Sequence, residues 1–446
     1  MKLRINILAL FVILCLGAFA QQTENDEQLS FTLQEAKAYA AKHSYSTQQA
    51  VMDEEIARKK VKETTAIGLP QVSASGQFQQ YIDIPTQVIP NFLGDSPEYL
   101  EAKFGTEFNI NGGISASQLL FDGSYLVGLK AAKVYREMAS NQVVKSEQEI
   151  QKEVAYSYAL VLVSERNIEI LKGSKSNIDS MLFETEQLYK EGFTEEQNVD
   201  QLRLTASEIT NQLNNAERQT EVARNLLKFQ MGIEVAKTIE LTNELEEVLT
   251  TAEQETLLTQ TLDINTHIDY KIALTNEELQ RLNMRNEKAG FLPKLSAFYN
   301  YQQSYMSDEL DVTSDFWFPT NVWGINLEVP IFTSFQRRFK VQQTQIDYEK
   351  AQLQTEQASQ SLQLGVLQAK ADYNQALSSY EVKKGNYELA KKIFDKESIK
   401  FQEGVSSSLD FTQAQNQMLE SQSNYLMAIL TLVESKTNLD NALNNY

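Results

Sequence analysis

The chain has 446 residues, with 40 basic and 60 acidic side chains, a formal net charge of −20, one cysteine and two histidines. Such an acidic chain argues against nucleic acid as a partner, because phosphate binding needs a basic surface. So few cysteines and histidines exclude most zinc and iron–sulfur sites, and we expect no cofactor.

Residues 1–20 have the pattern of a secretory signal peptide. Two basic residues precede the apolar run 5–16, and the small residues of 18–20 form a cleavage site. The run is too short to anchor a helix in a bilayer. It also contains Cys15, the only cysteine. The sequence therefore predicts an exported protein without disulfides.

All seven prolines fall in two windows, 70–97 and 293–330. Both windows contain segments in which apolar residues alternate with small or polar ones, as in a β-strand with one wet face. Four strands are predicted, at about 70–82, 107–121, 292–305 and 320–332. Their length suits tilted strands that cross a membrane. Two soluble hairpins with one wet face would show the same alternation and remain the alternative.

Aromatic residues concentrate near one end of the last strand. The group consists of Phe316, Trp317, Phe318 and Trp323. Membrane β-proteins place such residues in girdles at the lipid–water interface. We therefore predict that these four side chains lie at the membrane interface.

The proline-free stretches 98–292 and 331–446 are rich in helix-forming residues. Because one proline costs a helix interior about 3 kcal/mol, such stretches favour long helices. Two are predicted, at about 125–189 and 336–402. At 1.5 Å per residue the first would be about 98 Å long, too long for a compact globule.

A heptad seam with 3-4 spacing runs from Val199 to Leu227, and it recurs 212 residues later from Phe411 to Leu439. This is the pattern of helices packed knobs-into-holes. The opening arm 32–66 and the return arm 195–231 have the combined length of one long helix. We therefore expect these two arms to stack end to end beside it.

The sequence contains an internal repeat, in which one unit occurs twice. The hexapeptide LPQVSA at 69–74 recurs as LPKLSA at 292–297, and YKEG at 189–192 recurs as FQEG at 401–404. Each copy reads as a helix–strand–strand–helix–helix unit. The predicted organisation is a first repeat at 21–232, an equatorial linker at 233–262 and a second repeat at 263–446.

The two histidines, His43 and His267, fall at equivalent places in the two copies and lack partner ligands, so a structural role is predicted for both. Asp308, Asp311 and Asp315 lie between the last two strands. Without a stricter ligand pattern they indicate a solvated acidic loop rather than a cation site.

Four strands cannot close a barrel, and a lipid-exposed sheet edge is not viable in a bilayer. A barrel with a wet lumen needs about a dozen strands or more. Three copies would supply twelve, with the polar strand faces lining water and the other faces meeting outer-membrane lipid.

The duplicated unit, its repeated LP-x-x-S strand start and its paired EG helix tips resemble the TolC-type outer-membrane efflux protein family over essentially the whole mature chain. The resemblance implies an α+β membrane channel, a homotrimer whose 12-stranded β-barrel continues into a long α-helical coiled-coil barrel in the periplasm. It implies export of small molecules or proteins and no enzymatic activity. The implied partners are a periplasmic adaptor (membrane fusion) protein and an inner-membrane RND or ABC transporter, in a tripartite efflux or type I secretion system.

Two kinds of site follow from the resemblance. The helix tips that match the family's adaptor-docking turns are Gly192-Phe193-Thr194 and Gly404-Val405-Ser406. A plain turn between two helices would explain the glycines alone.

Asp410 matches an acidic ring at the family's periplasmic aperture, but the second acid of that ring is Gln413 here. The first repeat has Asn198 and Gln201 at the matching places, so the aperture charge would be sparse. Asp410 could equally be a charge that stabilises the N-terminus of a helix.

Two other classes of protein compete with the channel. A non-conducting exported coiled-coil adaptor or scaffold would have long helices, but it would need neither barrel strands nor a repeated hairpin. A glycoside hydrolase with paired carboxylates is a more distant alternative, because no compact pocket-forming segment is present to hold the pair.

Overall fold

The computed structural model describes residues 29–90, 99–249, 254–313 and 315–445. The predicted signal peptide lies outside these ranges. No helix of the described part combines the length and the apolar character needed to cross a membrane.

Strands and helices alternate along the chain in the order that the repeat predicts. The strands are β1 Leu29–Phe31, β2 Gln71–Gln80, β3 Thr86–Pro90, β4 Tyr99–Lys103, β5 Phe108–Asp122, β6 Ile239–Leu241, β7 Lys294–Ser307 and β8 Trp317–Glu328. The helices are α1 Leu33–His43, α2 Tyr45–Ile67, α3 Gly123–Lys190, α4 Glu196–Met231, α5 Leu245–Val248, α6 Gln254–Thr259, α7 Ile268–Ala289, α8 Gln336–Gln402 and α9 Ser408–Leu443.

The main sheet has four antiparallel strands in the order β2-β5-β7-β8. Each strand is continuous with one helix: α2 leads into β2, β5 into α3, α7 into β7 and β8 into α8. These four helices pack side by side in the same lateral order, α2-α3-α7-α8. Sheet and helices therefore form one continuous wall, a single element thick at the sheet.

The long helices α3 and α8 have 68 and 67 residues, so each is about 100 Å long. The return helices α4 and α9 pack back along them. All nine positions of the first heptad seam, from Val199 to Leu227, are buried. In the second seam only Ser421 and Tyr425 are partly exposed. The heptad prediction is confirmed.

The opening arm differs from the prediction, because it is two helices that break at Ser44. The Ser44 hydroxyl accepts a hydrogen bond from the Thr47 amide and caps α2. The break lies against Gly232, which ends α4 with a φ of +73°. A Cβ built on Gly232 would lie 2.1 Å from the His43 carbonyl oxygen, so only glycine admits this approach.

The equatorial region joins the two repeats through a small parallel sheet in which β1 pairs with β6. Below it lies an apolar core in which Tyr158 is fully buried. The Tyr158 hydroxyl donates a hydrogen bond to the carbonyl oxygen of Phe31 at 2.9 Å. The chain entering the first repeat is thereby attached to the middle of α3.

Two features of the strands were not expected. The last strand ends at Glu328 rather than near 332, since Pro330 has no amide hydrogen and Ser334 and Phe335 adopt positive φ angles of 49° and 65°. The loop after β2 is itself a hairpin, in which β3 pairs with β4.

The two histidines have different surroundings. His267 is buried and is the N-cap of α7, where its Nδ1 accepts a hydrogen bond from the Asp269 amide at 3.2 Å. His43 is exposed and stacks on Tyr39, with the ring centroids 4.1 Å apart. Burial lowers the pKa of His267, although Asp269 opposes the shift.

This pKa predicts an acid-sensitive contribution of His267 to stability. As the pH falls below the ordinary histidine value, the unfolded chain takes up a proton that folded His267 still excludes, so stability falls. We expect the melting temperature to drop more for the wild type than for His267→Asn between about pH 7.5 and about pH 5.5. Asparagine keeps an N-cap acceptor. His43→Asn is the matched control and should behave as the wild type; equal drops in all three proteins would contradict the prediction.

Candidate channel lining and helix tips

The four-stranded sheet has two chemically different faces. Its polar face carries Gln71, Ser73, Ser75, Gln77, Gln79, Asn109, Asn111, Ser115, Ser117, Asn300, Gln302, Ser304, Thr320 and Asn326. Its apolar face carries Val72, Ala74, Phe78, Ile110, Ile114, Ala116, Leu295, Ala297, Tyr299, Tyr301, Trp323, Ile325 and Leu327. Directly paired residues share a face, so each set continues across the four strands. The separation is incomplete, because Phe298, Met306 and Val322 also lie on the polar face, and Gln303 and Asn321 on the apolar face.

The polar face holds a groove of about 310 Å³ across β2, β5 and β7. Within it, the Gln302 side-chain amide donates to Asn111 Oδ1 at 3.0 Å and to Ser304 Oγ at 3.1 Å. Within the four strands, formal charge occurs only at the helix end, where Lys294 Nζ lies 3.8 Å from Asp122 Oδ2 and Lys294 is paired with Glu328 across the strands. At the outer end the acids Glu107 and Asp308 follow directly. Between these ends the polar face carries no formal charge and offers water many hydrogen-bonding partners.

The structure separates the four predicted interface aromatics. Phe316 and Phe318 are half exposed at the outer end of β8, and Phe318 belongs to the polar face. Trp317 lies on the apolar face, where its indole nitrogen donates to the Val312 carbonyl oxygen at 3.0 Å. Trp323 is 77% exposed and lies in the middle of β8, about 20 Å from Trp317.

A second apolar group lies at the helix end of the sheet and was not predicted. Ile331, Phe332, Phe335 and Phe339 are all more than half exposed, and the rings of Phe332 and Phe335 meet edge to face at 5.9 Å. The sequence does show an apolar group shortly after Pro330, but the predicted strand at 320–332 included Ile331 and Phe332.

The two helix tips have the same backbone construction. Gly192 and Gly404 have φ angles of +79° and +72°, and the next residue donates back to the preceding helix in both. These bonds run from the Phe193 amide to Leu188 at 2.8 Å and from the Val405 amide to Lys400 at 2.9 Å. The turns explain the glycines. They do not explain why Phe193 and Val405 are 80% and 76% exposed.

The tips of the two repeats contact each other. The Ser408 hydroxyl donates to Asn198 Oδ1 at 2.6 Å, and the Asn198 amide donates to the Thr194 hydroxyl at 2.9 Å. Ser406 instead donates to Glu397, and this bond is the main cause of a lowered Glu397 pKa. Of the predicted polar tip residues, Thr194 thus belongs to a hydrogen-bonded chain that joins the two tips, whereas Ser406 bonds within the second repeat. Phe193 and Val405 are exposed apolar side chains at the same tips.

Asp410 is exposed in the first turn of α9. Its carboxylate accepts a hydrogen bond from the Ser407 hydroxyl at 2.7 Å, and its amide donates to the same hydroxyl at 3.2 Å. Gln413 is exposed one turn further along the helix. The helix-cap role of Asp410 is therefore present within one chain, whereas a ring would need the same residue from further copies.

Sequence reasoning missed a polar stripe between the two helical hairpins. Ser408, Gln415 and Gln422 recur every seven residues on α9 and are buried. The Gln422 amide donates to Asn167 Oδ1 on α3 at 3.2 Å, while neither side-chain amide atom of Gln415 has a partner in the described part of the chain. Buried polar side chains thus enter the contact between the two hairpins, beside an apolar cluster to which both hairpins contribute.

Metal chemistry finds no support in the acidic loop. Among the described residues no group of three or more histidine, cysteine or acidic side chains is arranged to hold a metal ion. Asp311 accepts hydrogen bonds from the Thr313 amide at 3.0 Å and from its hydroxyl at 2.6 Å.

Several solved structures share this architecture. VceC from Vibrio cholerae aligns with a TM-score of 0.67 at 14% identity, over 92% of this chain and 95% of that one. CmeC from Campylobacter jejuni aligns at 0.69 and 16% identity, over 92% and 85%. The open state of MtrE from Neisseria gonorrhoeae aligns at 0.68 and 19%, over 92% and 88%. These likenesses confirm the predicted α+β channel fold.

The sequence itself matches the family model described as outer membrane efflux protein over residues 39–232 and 272–445, which is most of the chain. A search of curated proteins found no sequence match. The chain therefore belongs to the outer membrane efflux protein family: it is an efflux channel of the outer membrane with a large periplasmic portion, and it is not an enzyme.

Proposed function

We propose that three copies of the chain form one conduit, which carries small molecules or proteins from a periplasmic and inner-membrane transport machine to the exterior. The observation that carries this proposal is the sheet, which has one polar face and two open edges, β2 and β8. An unpaired edge is not viable in lipid, so each β8 must pair with the β2 of a neighbouring copy. Closure of twelve strands then places the polar face around water.

The helices at the two edges support the same closure. On α8 exposed apolar residues recur at multiples of seven: Phe339, Ile346, Leu353 and Leu367. On α2, the helix at the opposite edge, Tyr45, Met52, Ile56 and Ile67 are more than half exposed. Heptad spacing on an uncovered helix face favours packing against another helix. The α8 edge of one copy would pack on the α2 edge of the next.

The tips support a partner in the periplasm. Phe193 and Val405 are exposed apolar side chains at the far end from the sheet. We propose that they bind a periplasmic adaptor protein, which links the conduit to an inner-membrane RND or ABC transporter. Tripartite efflux and type I secretion would both use this arrangement. The conduit itself does no chemistry, so the inner-membrane partner would supply the energy.

The conduit is tested by single-channel recording with variants of two neighbouring residues on β7. Gln302→Trp adds bulk to the polar face, and Tyr301→Trp adds it to the apolar face. We expect Gln302→Trp to lower the conductance and Tyr301→Trp to leave it near the wild-type value. If both variants keep the wild-type conductance, the assignment of the polar face to the lumen is wrong. A monomer that is soluble without detergent and does not conduct would favour the scaffold alternative.

The aperture proposal concerns the charge of Asp410. Three copies of Asp410 would form a sparse acidic ring, with Gln413 at the second position. Asp410→Asn removes the charge but keeps an acceptor for the Ser407 hydroxyl, so the helix cap is retained. We expect a reversal potential closer to that of an unselective pore and weaker block by divalent cations. The matched control is Glu208→Gln, which removes an exposed acid of α4 that lies farther from the helix tips. If both variants keep the wild-type selectivity, Asp410 is only a helix cap.

A further inference from the structure

We propose that the hairpin formed by β3 and β4, here called the outer hairpin, binds the loop between β7 and β8 of the next copy, here called the outer loop. The copies would then be joined outside the membrane as well as through the sheet and the helices. This inference rests on the proposed three-copy channel.

The outer hairpin is left uncovered by the rest of the described chain. Its two strands pair only with each other, from Thr86 opposite Lys103 to Pro90 opposite Tyr99. A lone two-stranded hairpin is at best marginally stable in water. Val88 and Tyr99 lie on one face of the hairpin, together with the charged residues Glu101 and Lys103, and are 62% and 55% exposed. Within one copy, the apolar side chains of this mixed face remain open to water.

The outer loop presents a complementary surface. Leu310, Val312 and Phe316 are each slightly more than half exposed. The Asp311 amide donates to the Tyr305 hydroxyl at 2.9 Å, and the Trp317 indole donates to the Val312 carbonyl oxygen. The backbone at Asp311 and Val312 is thus hydrogen-bonded to side chains of β7 and β8.

The strand order brings these two surfaces together. The outer hairpin extends β2 and β5, and the outer loop joins β7 and β8. Within one chain the outer loop contacts the segment between the outer hairpin and β5, where the Glu107 amide donates to Asp308 Oδ1 at 3.0 Å. When β8 pairs with β2 of the next copy, the other side of the outer loop comes next to that copy's outer hairpin. Removal of both apolar surfaces from water stabilises the contact.

Cross-linking of two introduced cysteines tests the contact directly. The only cysteine is Cys15, so Cys15→Ser provides a background without thiols. In this background Val88→Cys and Val312→Cys are combined and treated with a flexible thiol cross-linker. We expect covalent trimers on denaturing gels, and only monomers when either cysteine is present alone. Light scattering in detergent gives the native mass of the same samples.

The outcomes separate the inference from the proposed function. Native trimers without cross-linked chains would overturn the outer contact and leave the channel proposal standing. A native monomer would overturn the channel proposal itself. As a second measurement, Val88→Lys should lower the temperature at which trimers dissociate on gels, although within the hairpin the new charge lies opposite Glu101 and is attracted to it. Gln87→Lys, which puts the same charge on the other face of β3, should not; equal effects would contradict the contact.

Discussion

Gly232→Ala is expected to destabilise the protein by about 3 kcal/mol, because it combines backbone strain with a clash against another backbone segment. Gly232 has a φ of +73°, which alanine adopts only at a cost. The new Cβ would also meet the His43 carbonyl oxygen at 2.1 Å and its carbon at 2.8 Å, and neither atom can rotate away. The measurement is the free energy of unfolding in detergent, with urea as denaturant.

Gly192→Ala is the matched control for this substitution. Gly192 has nearly the same φ, +79°, but a Cβ built there has no atom within 4 Å. The control isolates the strain, about 1–2 kcal/mol, from the clash. Similar losses in both variants would contradict the close approach between the end of α4 and the α1–α2 break. If α2 packs on a neighbouring copy as proposed, assembly of Gly232→Ala should also fail at lower temperature, since the break sets the direction of α2.

Phe193→Glu combined with Val405→Glu is expected to abolish export while the protein still reaches the outer membrane. Both side chains are exposed at the tips, and charging them removes the apolar contact proposed for the adaptor. Apolar anchors at interfaces are worth about 2 kcal/mol each, so loss of the pair should weaken adaptor binding by about 1,000-fold. Binding to the purified adaptor and drug susceptibility of the cells are the two measurements.

Val222→Glu controls for the added charge in this experiment. Val222 is 68% exposed on α4, about 40 Å along the same helix from Phe193. It should leave adaptor binding and susceptibility unchanged. Normal export by the double tip variant would refute docking at the tips, and loss of the protein from the membrane would assign the tips a role in folding instead.

Periodic features were predictable because their chemistry repeats along the chain. The seam from Val199 to Leu227 follows from spacing alone, and the four main strands follow from alternation. Features that depend on a distant contact were not predictable. The break at Ser44 packs against Gly232, almost 190 residues away, and this contact cannot be derived from residues 33–67 alone.

The outer hairpin and the polar stripe were not predicted, for two other reasons. The segment of β3 has only five residues and ends at Pro90, so its sequence alone indicates a loop. Gln415 was passed over because a glutamine on a helix is normally solvated, and only the packing of α9 on the first repeat buries it. The place of Asp410 at the N-terminus of α9 was predictable, and the structure adds its hydrogen bond with Ser407. Whether Asp410 belongs to an acidic ring depends on the arrangement of further copies, which the sequence does not specify.

The matching lateral order of strands and helices has a consequence for how such a wall can be subdivided. In the main sheet each repeat supplies two neighbouring strands and, below them, two neighbouring helices, of which one is long. The linker crosses from one repeat to the next only once. A polypeptide reduced to a single repeat, with its open flanks made complementary, would complete the same circumference as a hexamer. Circular permutants that begin in the linker should likewise preserve every lateral neighbour.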